Sequence, residues 1–239
     1  MTVLTGSAAG TTADRSGGGH ESGEGSAMAR ARRAMIDSQL RVSGVNDVAV
    51  LAGMATLPRE AFVPEARRAA AYTDRAQPLG TTGGGEARVL NPPLGHGQML
   101  VEAQPTAQDR ALLVGGGTGY LAALLEPMVG SLQVVESSAE LAAAAPVQAG
   151  AWTVGPLAEG AAAGAPYSLI MIDGAIEQLP DSLAAQLDDK GRVVTGLIQR
   201  GVTRLAIGRK AAGAVGFLTL AEIDLAPLAE FAAPRRWSF

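Results

Sequence analysis

The 239-residue sequence contains no cysteine, which removes disulfides, thiolate metal sites and a cysteine nucleophile together. Only two histidines are present, His20 and His96, too few and too far apart for a histidine metal cluster, so no metal site is expected. Lysine is nearly missing: Lys190 and Lys210 are the only two, and a formal net charge of −4 leaves no basic footprint for nucleic acid or an anionic membrane. No stretch approaches the ~18 uninterrupted apolar residues of a membrane span, and the N-terminus lacks the basic-then-apolar order of a signal peptide. Neither nucleic acid nor a membrane is therefore expected as a partner, and the cytoplasm is the expected location. What the sequence does have is apolar residues, 47% of the total, with only 18% charged, enough for the core of one α/β domain.

Residues 1–27 are small, polar and aperiodic, and read as a disordered leader that includes His20, with Met28 an alternative start. The remainder, 28–239, reads as one domain: a helical and loop extension over 28–93, followed by a sheet over 94–239. Two short helices are expected in the extension, the second capped by Asn46 or Asp47, and "TTGGGEA" at 81–87 reads as a mobile surface loop. After it the periods alternate. A helix over about 94–103 precedes strands at 110–114, 131–136, 151–154, 167–173 and 191–198, with helices at 119–128, 138–145 and 179–187 between them. Two further strand-like runs, 203–209 and 216–223, fit an antiparallel pair closing the far end. Continuous apolar strands alternating with helices predict an α/β, doubly wound, mostly parallel sheet, with any ligand at the carboxyl ends of its strands.

The segment "ALLVGGGTGYLAALL", residues 111–125, leaves the first of those strands through a glycine bend. Gly115, Gly117 and Gly119 make G-x-G-x-G, but 31 glycines in the chain make such a match weak on its own. Tyr120 stands where a dinucleotide fingerprint needs its last glycine, and no Lys-Ser or Lys-Thr pair follows to make a nucleotide-hydrolase phosphate loop. What remains is a strand-to-helix turn without β-carbons, whose N–H groups can approach a bound molecule. The next strand, "LQVVES", ends in Glu136 about twenty residues beyond the glycines, where a carboxylate can accept hydrogen bonds from two ribose hydroxyls. Read without further support, the same residues also fit a tight turn beside a surface glutamate.

The ordered blocks "MIDSQLRVSGV", "VLAGMATLPREAFVPE", "AYTDRAQPLG", "ALLVGGGTGYLAALL", "LQVVES" and "APYSLIMIDGAIEQLPDSLAAQLDDKGRVV" resemble the protein-L-isoaspartate O-methyltransferases, especially their shorter bacterial members, over about residues 30–200. The preface "LPREAFVP" and "AYTDR" is the specific part. The resemblance implies a seven-stranded Rossmann-like methyltransferase sheet with added N-terminal helices, S-adenosylmethionine as cofactor, and methyl transfer to the α-carboxylate of isoaspartyl residues in damaged proteins or peptides. It places the cofactor on Gly115, Gly116, Gly117 and Gly119, its ribose on Glu136 and its adenine against Leu157. Asp173, which ends an apolar strand facing the same crevice, reads either as a contact for an amine of cofactor or substrate or equally as a cap for the following turn.

Departures from the family pattern leave two alternatives open, a cofactor-binding homologue without turnover and a methyltransferase for another acceptor. Counting back from Asp109 sets the family's glycine-glutamine-threonine-isoleucine-serine block on "RVLNPP", not on the tempting "GHGQML", so Asn91 takes the place of the substrate-contacting serine and Val89 that of the threonine. His96 then falls on the following helix as a packing or surface residue. Leu113 or Val114 replaces an acidic residue below the bend, and Pro156 or Leu157 replaces the aspartate that meets the adenine amino group, each loss worth about 1–2 kcal/mol of cofactor affinity. Glu177 and Asp181 read as ordinary helix-start charges, and the terminal "PRRWSF" as docked on the sheet edge.

Overall fold

A computed structural model describes residues 18–81 and 87–234, with the backbone alone for 18–24. Helix α1 (Gly18–Met35) enters ten residues into the expected leader. The physical reason is propagation: Met28, Ala31 and Met35 pack on the core, and a helix anchored there extends N-terminally at little cost. Residues 1–17 lie outside the described residues, as do 82–86 and 235–239, and with them most of the expected loop and terminal segment; nothing is described of the His20 side chain. Helix α2 (Val48–Thr56) is capped by Asp47, which accepts the Val50 N–H at 2.9 Å.

The flanks of the glycine-rich stretch are strands where sequence reading expected only a loop. Strand β1 (Gln77–Thr81) pairs antiparallel with β2 (Ala87–Leu90), Gln77 opposite Leu90. Burial alternates along both, so Gln77, Leu79, Arg88 and Leu90 all face inward. Helix α3 (Pro93–Ala103) follows, with a proline in its first turn.

The main sheet then forms as expected. Strand β3 (Arg110–Val114), α4 (Tyr120–Leu125), β4 (Ser131–Glu136), α5 (Ala139–Ala143), β5 (Ala151–Val154), β6 (Tyr167–Ile176), α6 (Asp181–Gln186), β7 (Leu187–Gln199), β8 (Val202–Ala211) and β9 (Ala214–Glu222) succeed one another, and the seven strands lie in the order β5-β4-β3-β6-β7-β8-β9. The pairs from β5 to β7 are parallel, and those of β7 with β8 and β8 with β9 are antiparallel. Alternate residues of the central strands enter different apolar clusters: Leu113, Leu169 and Met171 on one face, together with residues of α1 and α2, and Leu112, Val114, Ile170 and Ile172 on the other. Burial on both faces is why these strands read as unbroken apolar runs.

The chain leaves β3 toward β4 and β5 on one side and returns to β6 on the other, so the crevice opens where β3 and β6 end. After β9 the segment Ile223–Phe231 crosses that end as a strap. Ala175 donates to the Ala226 carbonyl at 2.8 Å, and Leu228 donates to the Ala175 carbonyl at 2.9 Å. At the opposite end of the sheet Asp109 receives both arms of the Arg192 guanidinium, at 2.9 and 2.8 Å, and the Ser168 hydroxyl at 2.6 Å. Burial pushes the Asp109 carboxyl up, but Arg192, Ser168 and the Thr106 N–H outweigh it and hold it well below the usual carboxylate range.

Candidate active site

The bend after β3 is wired to the tip of β4. Gly115 and Gly116 both donate to the Val135 carbonyl, at 2.9 and 3.0 Å, Gly117 donates to a Glu136 carboxylate oxygen at 2.6 Å, and Gly119 donates to the Gly116 carbonyl at 2.8 Å. These four N–H groups are therefore turned into the protein, a correction to the expectation that they face a ligand. A bend so wired does not cradle phosphate; its glycines bring bare backbone close to the crevice. Gly115 and Gly117 hold φ of 84° and 54°, in the left-handed region. Gly116 has a different reason: a β-carbon there would lie 2.5 Å from a Val134 methyl and 2.9 Å from the Trp152 ring. Thr118 donates to the Phe62 carbonyl at 2.6 Å, tying the bend to the "LPREAFVP" segment.

Glu136 ends β4 with no solvent exposure. Besides the Gly117 N–H it accepts the Ser138 N–H at 3.0 Å. The Ser137 hydroxyl donates to it more weakly at 3.4 Å, and both oxygens hold a two-armed ion pair with Arg88 from β2, at 2.8 and 2.9 Å, where Arg88 is only 4% exposed. Sequence reading missed Arg88, because a charged residue beside a glycine-rich loop reads as solvent-facing. The available signal was its position at the glutamine of the family block.

Beneath the crevice lies a buried polar chain. Arg59 is wholly buried; it donates to the Ala71 carbonyl at 2.8 Å and to the Asn91 carbonyl, and its guanidinium lies 4.6 Å from the centre of the Tyr120 ring. Burial lowers its pKa, opposed by Tyr120 and Asp173. Its third contact is His96 Nδ1 at 3.3 Å. Because a guanidinium only donates, Nδ1 accepts, and His96 Nε2 carries the proton that it donates to Asp173 at 3.0 Å. His96 is thus an interior relay residue with no solvent exposure, a packing position and not a surface one.

Asp173, in β6, also accepts the Asn91 amide at 2.8 Å. Burial pushes its carboxyl up, but His96, Asn91 and Arg88 outweigh burial and hold it below its ordinary value. These bonds run to side chains of other elements, so Asp173 is no cap for the following turn. Asn91 itself needs correcting: its oxygen accepts the Ala226 N–H of the strap at 2.9 Å and its nitrogen serves Asp173, so every polar atom of the side chain faces protein. Leu157 is also corrected. Its side chain is 1% exposed in the apolar cluster with Leu112 and Val135, and its N–H donates to Glu230 at 2.8 Å.

Gly115, Gly117, Glu136 and Asp173 are thus brought together at the carboxyl ends of β3, β4 and β6, with Leu228 of the strap beside Gly115. The sequence model of the protein-L-isoaspartate(D-aspartate) O-methyltransferases matches residues 30–231. The chain belongs to that family. A protein-L-isoaspartate O-methyltransferase of Koribacter versatilis is 35% identical over 211 residues, covering 85% of this chain and 92% of its own. Among solved structures, a protein-L-isoaspartate O-methyltransferase superposes with TM-score 0.70 at 19% identity, over 86% of this chain and 67% of its own. A second, the Plasmodium falciparum protein described as a protein-L-isoaspartate O-methyltransferase in complex with S-adenosyl-L-homocysteine, gives 0.65 at 15% identity, over 85% and 98%. Both confirm the fold of this methyltransferase. Its residues fit the S-adenosylmethionine on which the family depends: a bend whose N–H groups are bonded within the protein offers nothing to a pyrophosphate, and the Glu136 carboxylate suits a nucleoside diol once the Arg88 fork gives way.

Proposed function

We infer that this family member transfers a methyl group from S-adenosylmethionine to the α-carboxylate of L-isoaspartyl residues in damaged proteins or peptides. The observation that carries the inference is Glu136, locked by the Gly117 N–H at the carboxyl end of β4 within a family-matched chain. When bound, the cofactor supplies an electrophilic methyl on a sulfonium whose departure leaves a neutral thioether. An acceptor carboxylate is already ionised, so the protein needs no general base; alignment and exclusion of water suffice.

The chain's own groups divide that work. Gly115, Gly116, Gly117 and Gly119 let the backbone approach the donor, and Glu136 would hold the ribose. Asp173, kept ionised by His96 and Asn91, presents a fixed negative charge for an ammonium group. Arg59 fixes His96 from below, and Leu228 narrows the mouth. We treat residues 28–239 as one folding unit, because the N-terminal helices share an apolar cluster with the sheet. Its partners would be proteins or peptides carrying isoaspartyl sites. None of the described helices is long and apolar enough to cross a membrane, and we place the protein in the cytoplasm.

Incubating the protein with methyl-labelled S-adenosylmethionine and an isoaspartyl peptide tests the reading. Base-labile label on the peptide, absent with the aspartyl control, is expected. Cofactor binding by calorimetry with no label transferred would instead mark a homologue without turnover on this acceptor.

A further inference from the structure

We propose that Arg88 is a carboxylate anchor with two stations: Glu136, as seen here, and the carboxylate of a ligand in the crevice when a ribose diol takes its place on Glu136. The proposal rests on the reading of the crevice as an adenosyl-cofactor site. A carboxylate offers about four acceptor positions. Two on Glu136 serve the N–H groups of Gly117 and Ser138, which belong to the bend and to the turn after β4. The other two serve the Arg88 fork. A vicinal diol brings two O–H donors and needs those same two positions, so diol and fork exclude each other. The Ser137 hydroxyl adds a weaker contact at 3.4 Å; of these partners only Arg88 sits at the end of a long side chain, and it comes from the β1–β2 hairpin, which is not part of the main sheet.

A released Arg88 remains a buried cation in need of an acceptor. Asp173 is already engaged by His96 and Asn91, and Ser137, 3.3 Å from the guanidinium, offers only a neutral hydroxyl. One guanidinium nitrogen stands 3.4 Å from where a β-carbon on Gly115 would lie, beside the first residue of the bend. Arg59 and Arg88 balance Glu136 and Asp173 in this region. A sulfonium donor, carrying two positive groups and one carboxylate, leaves it positive by one charge, which a carboxylate acceptor neutralises. The second station is therefore a carboxylate, supplied either by the methionyl end of the cofactor or by the isoaspartyl acceptor.

The test compares wild type with R88Q, using 5′-methylthioadenosine, which has the diol and no carboxylate, S-adenosylhomocysteine, which has both, and an isoaspartyl peptide. Methylthioadenosine is expected to bind R88Q about tenfold more tightly, the gain from removing a competitor that leaves one site in ten competent. If the cofactor carboxylate is the second station, S-adenosylhomocysteine gains less than methylthioadenosine or loses affinity. If the acceptor is, both ligands gain alike and the peptide KM rises about tenfold with kcat little changed, the loss of a ground-state contact. Unchanged or weaker methylthioadenosine binding in R88Q overturns the proposal, as does an equal gain for both ligands with peptide KM unmoved. If neither protein binds either adenosine ligand, the cofactor reading falls and the anchor with it, a distinct result. Should R88Q fail to fold, R88M, which likewise removes the cation while keeping a long side chain, carries the same comparison, and a wild-type crystal structure with S-adenosylhomocysteine that leaves Arg88 on Glu136 overturns the anchor by itself.

Discussion

At the scale of single residues, the crevice is a set of paired charges, and the pairs decide what substitutions do. E136Q is expected to weaken S-adenosylhomocysteine binding by about 10- to 100-fold, the equivalent of about 1.5–3 kcal/mol for hydrogen bonds to a charged group, read by calorimetry. It also strands Arg88, which is 4% exposed, so denaturant unfolding should show a loss of about 3–5 kcal/mol. Removing both charges in E136Q/R88Q is expected to recover most of that stability and none of the binding; equal stability of the single and double variants would refute the pairing. Asn91→Ser, which on the family pattern would restore a hydroxyl, is expected to lower activity and cost about 1–3 kcal/mol, because serine cannot serve Asp173 and Ala226 together. A gain of isoaspartyl activity in N91S would return residue 91 to the substrate surface. Glu136 and Asp173 were legible because each directly follows apolar residues at the tip of an expected strand, Val134 and Val135 before the first and Leu169 to Ile172 before the second. Arg88, the inward turn of Asn91 and the relay role of His96 were not, since each depends on a partner 48 or more positions away: Glu136, Asp173 and Ala226.

At the scale of elements, the glycine bend and the short helices carry the next expectations. Gly116→Ala puts a methyl 2.5 Å from Val134 and is expected to cost about 1–3 kcal/mol by overpacking, visible as a lowered Tm with the fold retained. Asp47→Ala removes the cap of α2 and should cost about 1 kcal/mol in the same measurement. Strands β3 and β4 were legible to the residue because burial writes a largely apolar word that turn residues punctuate, and the exposed edge strand β5 because Trp152, Thr153 and Val154 favour extended backbone between glycines. The β1–β2 hairpin was not. Pro78 and Gly80 are weak strand formers, and its stability comes from inward contacts, Arg88 to Glu136 above all, that no local pattern displays. Helix α4 stops at Leu125, short of the expected 128, because Pro127 turns the last residues into a tighter 3₁₀ turn.

At the scale of the whole molecule, two depressed carboxylates sit at opposite ends of one sheet. For both Asp109 and Asp173 the folded pKa lies below the ordinary 3.8, so each stabilises the fold fully above that value and loses its contribution as pH falls toward the lower folded value. Stability measured by chemical denaturation is therefore expected to decline on acidification below about pH 4, and D109N should flatten the part owed to Asp109; an identical acid profile in D109N would count against the Arg192 pair as its source. The layered plan was legible because it follows from alternating periods. The closing of the crevice was not, since the strap that does it carries no periodic signal. That strap has a consequence for how the enzyme comes into being. Among the described residues every strand of the sheet ends by residue 222, yet Asn91 and Ala175 take their partner, Ala226, from four residues farther along. Because the ribosome encloses the residues joined last, β8, β9 and the strap emerge together at the end, and the roof over the crevice is among the last parts of the enzyme to form.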